Sequence, residues 1–419
     1  MRGSCLPHDA PVKILRSLAI AALLPACGGA PAGQPAVSLT ELMGSGDTSG
    51  FERALEARTF HFPTDHGPHP GFQTEWWYVT GNLTREDDPG HALGFHLTLF
   101  RRGLPATEEH ASGSGPDRSS TGSLATEELY LGHFALADGR TGAVHAHERT
   151  ARGAGGLAGA TLTDGDLRVW LEDWELVGVD GLGSGERPRL DLRAREGDDA
   201  LELRLEAAYP VVLQGDDGLS SKGSSPGQAS YYYAAPRCSA TGHVELDGER
   251  LRVTGSAWLD REWSTSALGS DQVGWDWFAL QLDDGTDLML YQMRLRDGDV
   301  DPTSHGSVTD ASGTHAKLDS EAYAIVETGT WKSARSGAVY PSGWRVTVAG
   351  RDLELAVEPL IRDQELPFAV VYWEGAVRVS GTRAGAPISG VGYVELTGYA
   401  DEAAREADSS GTDRGGRAR

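Results

Sequence analysis

The chain has 419 residues, of which 39% are hydrophobic and 11 are Trp, so it is long enough and apolar enough for two ordinary domains with buried cores. This composition excludes a chain that is disordered over most of its length. The formal net charge of −24 at pH 7 makes the surface repel phosphate backbones, so we expect no nucleic-acid partner.

The N-terminus has the features of an export signal. Three basic residues precede residues 18–24, an apolar stretch that is too short to persist as a transmembrane helix. The following run Leu24-Pro25-Ala26-Cys27 resembles a bacterial lipobox, in which Cys27 is lipidated and becomes the first residue of the mature chain. An ordinary signal peptide, with Cys27 incidental, is the alternative.

These features predict a lipoprotein signal peptide over residues 1–27 and a flexible tether over residues 28–58. Within the tether, residues 51–58 carry apolar positions that predict one or two helical turns. We expect an exported protein that is lipid-anchored to a membrane of the cell envelope and faces the periplasm or the exterior.

From residue 62 onward, apolar residues alternate with a period of two, which predicts β-strands. The first set covers residues 75–83, 92–101, 128–137, 167–177, 189–193, 200–207, 242–246 and 251–259. The second set covers residues 275–282, 288–295, 323–326, 344–348, 353–359, 368–379 and 390–397. The polar stretches 111–123 and 215–230 predict a disordered loop and a long loop or lid, and residues 401–419 predict a disordered, solvated tail.

A weak internal repeat relates the two sets of strands. Residues 75–78 (EWWY) open a strand whose partner ends in Arg101, and residues 274–278 (GWDWF) open another whose partner ends in Arg294. Antiparallel strands in this number usually close into barrels, and a small barrel can hold one apolar ligand. The prediction is an all-β fold with two antiparallel β-barrel domains in tandem, over residues 59–264 and 265–400.

The histidines and cysteines do not predict a metal site. His66 and His69 lie in a loop rich in Pro and Gly, and His145 and His147 share one face of a strand. In both places, hydrogen bonding to neighbouring groups is favoured over metal binding. Cys238 has no base nearby in the sequence, which favours a small buried residue over a nucleophile. We expect no metal, no cofactor and no disulfide.

Carboxylates are placed among large apolar residues at several positions. Residues 257–264 and 272–278 together hold four Trp and three carboxylates. Alternation puts Asp276 on the apolar face of its strand, and it puts Glu75 on the same face as Trp77. Two alternatives remain open for such a residue. Desolvation raises its pKa so that it donates a proton, or Arg261 or Arg101 neutralises it in a buried ion pair.

Five motifs carry a resemblance to a known family. They are residues 62–83 (FPTDHGPHPGFQTEWWYVTGNL), 230–233 (SYYY), 258–264 (WLDREWS), 274–278 (GWDWF) and 392–399 (GYVELTGY). In this order they resemble the AttH-like branch of the hydroxyneurosporene synthase (carotenoid 1,2-hydratase) family. The resemblance implies two lipocalin-like barrels with functional residues close to where the domains meet.

The resemblance also implies hydration of a terminal double bond of an acyclic carotenoid without an organic cofactor. Such chemistry needs an acid, for which Asp276 is the first candidate, and aromatic faces that stabilise a tertiary cation. The further candidate carboxylates are Glu75, Asp260 and Glu262, and the candidate substrate-binding residues are Trp76, Trp77, Trp263, Trp275, Trp277 and Tyr291. The pigment-forming hydratases carry a stretch similar to DHNW, where this chain has Asp260-Arg261-Glu262-Trp263, so Arg261 replaces an acid/base histidine.

Three functions are compatible with these features. The first is an enzyme that hydrates or isomerises a hydrophobic, isoprenoid-type substrate by acid catalysis. The second is a binding protein that carries a lipid or another small apolar molecule in the envelope. The third is an envelope scaffold in which the Trp-rich segments join the two barrels.

Overall fold

The computed structural model describes residues 48–105, 127–180, 182, 186–265 and 268–412, with side chains to residue 405. The predicted signal peptide, Cys27 and the loop 111–123 lie outside the described residues, as do residues 413–419 of the predicted tail. Within these ranges almost every element is a β-strand, so the predicted all-β fold is confirmed. No helix among the described residues is long and apolar enough to cross a membrane.

The first sheet has 13 strands, and its main path runs in the order β4-β3-β2-β1-β13-β12-β9-β8-β7-β6-β5. The short strands β10 and β11 pair with β12. The strands are β1 (Thr74–Arg85), β2 (Asp88–Gly103), β3 (Glu128–Asp138), β4 (Ala143–Arg152), β5 (Ala158–Thr163), β6 (Asp166–Leu171), β7 (Trp174–Gly178), β8 (Arg189–Glu196), β9 (Asp199–Ala207), β10 (Val212–Leu213), β11 (Leu219–Ser221), β12 (Ala229–Leu246) and β13 (Glu249–Ser264).

The second sheet has 10 strands, in the order β17-β16-β15-β14-β25-β24-β22-β21-β18 with β23 beside β24, and β19 pairs separately with β20. These strands are β14 (Gln272–Leu282), β15 (Asp287–Leu295), β16 (His305–Thr309), β17 (His315–Asp319), β18 (Tyr323–Glu327), β19 (Thr330–Lys332), β20 (Val339–Pro341), β21 (Trp344–Val348), β22 (Leu353–Pro359), β23 (Glu365–Pro367), β24 (Val371–Arg383) and β25 (Ala386–Leu396). The helical elements are two 3-10 turns, Thr64–His66 and Ser320–Ala322, and the helix α1 (Tyr399–Thr412).

Both sheets are barrel-like, and each encloses its own core, as expected of two lipocalin-like barrels in tandem. Residues such as Val79, Phe95 and Trp174 fill the first barrel. Residues such as Phe278 and Trp344 fill the second. These side chains form a packed hydrophobic core inside each barrel.

The two barrels pack against each other through a third apolar cluster. Strands β1 and β2 contact β25 and β24, and β12 contacts β14 and β15. Tyr78, Trp258, Trp277 and Tyr393 belong to this cluster. The central strands are therefore buried on both faces, with one face toward the interior of their own barrel and the other toward the second barrel.

Several segments differ from the sequence-based prediction, among them the predicted loop or lid at residues 215–230, which contains β11 and the start of β12. Residues 51–58 form no helical turn and lie against the first barrel, where Ala54 is buried and the backbone N–H of Glu52 donates to the Gly71 carbonyl at 2.7 Å. The tail predicted to be disordered from residue 401 is helical to Thr412. The composition of the tail did not predict this helix, because tertiary contacts stabilise it. Tyr399, Ala400 and Ala403 pack against the core of the second barrel.

Candidate functional site

A cavity of about 120 Å³ lies between the two barrels, and we call it the interbarrel cavity. Both barrels line it, because side chains on the outward faces of β1, β12 and β13 meet those on β14, β15 and β25. Its apolar and aromatic lining includes Trp76, Tyr78, Tyr232, Trp275, Trp277, Met289, Tyr291 and Met293. Its polar lining includes His133, Ser220, Lys222, Ser230, Asp260, Glu262, His305 and Glu395.

Asp260 is a buried acid that faces this cavity from β13. Its oxygens accept one hydrogen bond from the Tyr232 hydroxyl and one from Trp258 Nε1, each at 2.7 Å. Burial, assisted by the neighbouring charge of Glu262, raises the pKa of Asp260 to about 8. At neutral pH the carboxyl group therefore holds its proton and is able to donate it.

Glu262 lies two residues farther along β13 and faces the same cavity, since alternate residues of a strand share a face at a spacing of about 7 Å. Lys222 Nζ lies 2.9 Å from Glu262 Oε1, and the Ser230 hydroxyl donates a second hydrogen bond to this carboxylate. Lys222 lies over the ring of Tyr291 at 4.8 Å. The cavity thus contains an ion-paired carboxylate next to a carboxyl group that retains its proton.

A third carboxyl group, Glu395 on β25, reaches the cavity from the second barrel. Trp275 Nε1 donates to its Oε2 at 3.3 Å. Burial is the largest cause that raises the pKa of Glu395 to about 7. The sequence-based candidates did not include Glu395, although it lies in the motif at residues 392–399, where alternation groups it with Tyr393 and Thr397.

The neighbours of His133 determine which nitrogen of its imidazole ring carries a proton. Its Nε2 lies 3.2 Å from the Glu148 carboxylate, which only accepts, so Nε2 carries the proton. Its Nδ1 then accepts a hydrogen bond from the Tyr372 hydroxyl at 2.7 Å. Burial lowers the pKa of His133, which keeps the ring neutral.

The Tyr291 hydroxyl is a buried polar group with no hydrogen-bond partner among the described residues. It lines the interbarrel cavity, where the remaining wall is mostly aromatic rings and Met side chains. A buried hydroxyl without a partner costs free energy, so this position suits a polar atom of a bound molecule or a water.

The structure places Asp276 outside the cavity, on the face of β14 that points into the second barrel. The Tyr399 hydroxyl donates to both of its oxygens at 3.1 Å, and Arg294 Nε lies 3.2 Å from Oδ1. Burial raises the pKa of Asp276 to about 6, although Arg294 opposes this shift. Arg294 is thus the arginine that pairs with Asp276, and the alternative in which Arg261 or Arg101 neutralises Asp276 does not match the described contacts.

Glu75 also lies away from the cavity, at one end of the first barrel. It forms ion pairs with Arg101 and Arg261, and the backbone N–H of His69 donates to both carboxylate oxygens at 3.0 Å. Burial would raise the pKa of Glu75, but Arg261, His69 and Arg101 outweigh it and hold the pKa well below its ordinary value. Of the two alternatives for this residue, the geometry corresponds to the buried ion pair.

The predicted aromatic residues divide between two locations. Trp76, Trp275, Trp277 and Tyr291 line the cavity. The Trp77 ring stacks instead on the Arg261 guanidinium at 3.8 Å, inside the first barrel. Trp263 is fully buried under the stacked ring of His69. The structure therefore brings together Asp260, Glu262 and four of the six predicted aromatic residues.

Comparison with solved structures gives several similar proteins. A putative AttH from Nitrosomonas europaea is 36% identical, with 83% of this chain and 100% of that chain covered and a TM-score of 0.70. Kievitone hydratase from Nectria haematococca is 15% identical, with coverages of 83% and 98% and a TM-score of 0.59. CghA, solved with Sch210972, is 14% identical, with coverages of 85% and 98% and a TM-score of 0.50.

The last two proteins share the fold with this chain. No curated protein sequence matches the chain. A family model described as AttH-like matches residues 53–399, which is most of the chain. The resemblance seen in the five sequence motifs is thereby confirmed, and the chain belongs to the AttH-like family.

Proposed function

We propose that this protein uses the interbarrel cavity to hydrate or isomerise a double bond of a hydrophobic, isoprenoid-type substrate by acid catalysis. The observation that carries the proposal is the pair formed by Asp260 and Glu262 on one face of β13. Asp260 has a pKa raised to about 8, and Glu262 is ion-paired with Lys222. An acid that retains its proton beside a carboxylate is the arrangement that proton transfer to and from a substrate needs.

Asp260 and Glu262 can together donate and accept the protons that this reaction needs. Asp260 transfers its proton to one alkene carbon, and the faces of Trp277 and Tyr291 stabilise the carbocation that results. For hydration, a water adds to the cation and Glu262 accepts the proton that this water releases. For isomerisation, Glu262 removes a proton from a neighbouring carbon. Return of the proton from Glu262 to Asp260 restores the starting state.

Two further observations support this choice of site. The cavity walls are aromatic rings and Met side chains, which suit an apolar substrate. A protein with the same fold is named kievitone hydratase, so hydration is a chemistry that this fold accommodates. Asp276, the acid expected from the sequence, does not line the cavity, and Asp260 takes its place in the proposal.

The test follows deuterium from heavy water into farnesol and lycopene, since protonation of an alkene leaves a label in both hydration and isomerisation. We expect label with the wild-type protein and a loss of about 10²- to 10⁴-fold in Asp260→Asn. Product mass then distinguishes added water from a moved double bond.

Asp276→Asn is the matched control, because it removes a buried carboxyl group with a raised pKa from outside the cavity. It should retain the label if it folds, as judged by circular dichroism. Loss of label in Asp276→Asn together with its retention in Asp260→Asn would instead support the assignment made from the sequence. Absence of label in the wild type with either probe would contradict catalysis on isoprenoids.

Binding without turnover is the second candidate function. It is favoured by the unpartnered Tyr291 hydroxyl and the Met289 and Met293 side chains, which would hold an apolar molecule with one polar atom. Native mass spectrometry of the purified protein, followed by organic extraction, would detect a retained lipid. For a carrier, retention survives Asp260→Asn and is lost in Trp277→Ala.

We also propose that the protein is held in the cell envelope by a lipid on Cys27, as the lipobox-like run at residues 24–27 suggests. Metabolic labelling with radioactive palmitate should label the wild type and leave Cys27→Ala unlabelled. Release of an unlabelled wild-type chain into the soluble periplasmic fraction would contradict the anchor.

A further inference from the structure

Two histidines and two aspartates meet at one end of the first barrel, apart from the interbarrel cavity. His145 and His147 are both on β4, opposite Leu136 and Phe134 of β3, so their side chains share the face of the first core. Asp199 is the first residue of β9, and Asp247 lies in the turn between β12 and β13. None of the four lines the interbarrel cavity.

The side chains converge on one carboxylate. His145 Nδ1 lies 3.0 Å from Asp199 Oδ2, and His147 Nε2 lies 2.9 Å from the same oxygen. His145, Asp199 and Asp247 each offer one ligand atom, and these atoms lie within 4.8 Å of one another. Asp199 is only 6% exposed, whereas Asp247 is at the surface. A buried carboxylate is thus faced by two imidazoles, with a second carboxylate at the solvent side.

These spacings are close to those of a metal centre. Two ligands at about 2.0–2.2 Å from a tetrahedral zinc ion are themselves about 3.4 Å apart. The observed separation of 3.0 Å between His145 Nδ1 and Asp199 Oδ2 is a few tenths of an ångström shorter, so a small side-chain movement would open the space for an ion. Imidazole with carboxylate favours zinc and neighbouring transition metals over Ca²⁺ and Mg²⁺, which prefer oxygen ligands alone.

The position of the cluster suggests what an ion would do. Strand β4 is one edge of the first sheet, and β9 lies six places away along the strand order. No backbone pairing joins β4 to β9 in the described sheet, so the contact crosses the barrel between the edge strand β4 and an interior strand. Arg149 on β4 makes a similar crossing, with an ion pair to Glu196 of β8 at 2.7 Å. A bound ion would strengthen this closure.

We propose that His145, Asp199 and Asp247 bind one divalent transition-metal cation of the zinc class, with His147 holding the Asp199 carboxylate in position. The ion acts as a structural clamp between the edge strand β4, the start of β9 and the β12–β13 turn. The sequence alone did not predict this site, because His145 and His147 are separated from Asp199 and Asp247 by about fifty and a hundred residues.

The test uses tag-free mature protein that has been stripped with a chelator and then titrated with ZnCl₂ by isothermal calorimetry. We expect one equivalent to bind and to raise the midpoint of thermal unfolding by several degrees. His145→Ala should abolish this binding, and His147→Ala should weaken it by about 10- to 100-fold, as expected for a residue that orients a ligand. A visible spectrum of the Co²⁺-loaded protein should disappear in His145→Ala.

Asp247→Asn separates metal binding from folding, because Asp247 is exposed and its loss should not disturb the core. It should fold normally and bind zinc at least about tenfold more weakly than the wild type. His61→Ala removes an exposed histidine outside the cluster and should bind like the wild type. If the wild type binds no zinc, or if His145→Ala and Asp247→Asn bind it unchanged, the residues form only a hydrogen-bonded cluster and the proposal is wrong.

Discussion

The buried carboxyl groups of this protein differ in pKa because they have different partners. Asp260 has two neutral hydrogen-bond donors and a pKa raised to about 8, mainly by burial. Glu75 is also fully buried, but two arginines lower its pKa far below the ordinary range. Burial alone therefore does not identify an acid catalyst. Cations that face a buried carboxylate oppose the rise in pKa that burial causes, and how far they do so depends on the neighbours that the fold supplies.

The raised pKa of Asp260 predicts a pH dependence of stability. Between its ordinary value of 3.8 and about 8, the folded chain binds one proton more than the unfolded chain at this residue, so the free energy of unfolding falls as pH rises. Asp260→Asn removes this contribution. In urea denaturation, the wild type should lose up to about 1.4 kcal/mol per pH unit more than Asp260→Asn over this window. Parallel curves for the two proteins would contradict the raised pKa.

Among the secondary structure elements, α1 has a role that its composition does not indicate. The ring of Tyr399 lies 3.7 Å from the Arg294 guanidinium, and its hydroxyl donates to Asp276. Arg294 also pairs with Glu402 at 2.8 Å. The first turn of α1 therefore covers a buried ion pair of the second barrel, and its removal would expose Asp276 and Arg294 to water without these partners.

We expect truncation after residue 398 to destabilise the protein by about 2 kcal/mol or more, since hydrogen bonds to charged groups contribute about 1.5–3 kcal/mol each. Truncation after residue 412 is the matched control and should leave the free energy of unfolding unchanged. Chemical denaturation of the two truncated proteins and the wild type measures the difference. Equal stability of all three would mean that α1 does not support the second barrel.

At the scale of the whole molecule, the two barrels share a buried interface that also forms the cavity walls. The Tyr78 hydroxyl donates to Glu374 of the second barrel at 2.5 Å, and Arg237 pairs with Asp287 at 2.6 Å. Trp258 and Trp277 pack edge to face across the same interface, with ring centroids 6.1 Å apart. Separation of the barrels would expose this apolar cluster and leave Asp287 without its cation.

This interface predicts that the two barrels unfold together. Differential scanning calorimetry should show a single transition for the wild type, because neither barrel retains a covered interface once the other has unfolded. Arg237→Leu should lower the stability of this single transition by about 1–3 kcal/mol, as it leaves the buried Asp287 carboxylate with Tyr209 and no cation. Two separate transitions in the wild type would show that the barrels are independent.

The sequence by itself determined the all-β class, the two successive sets of strands and the face of β14 on which Asp276 lies with Phe278 and Leu280. Period-two alternation is a local property of the chain, so it can be read without the fold. The same alternation could not say which face of β1, β13 or β14 meets the interior of its own barrel and which meets the other barrel, because both faces are buried. Only the tertiary structure decided which face meets which barrel. It also decided that Asp260, and not Asp276, lines the cavity, because the packing of one barrel on the other creates the cavity itself.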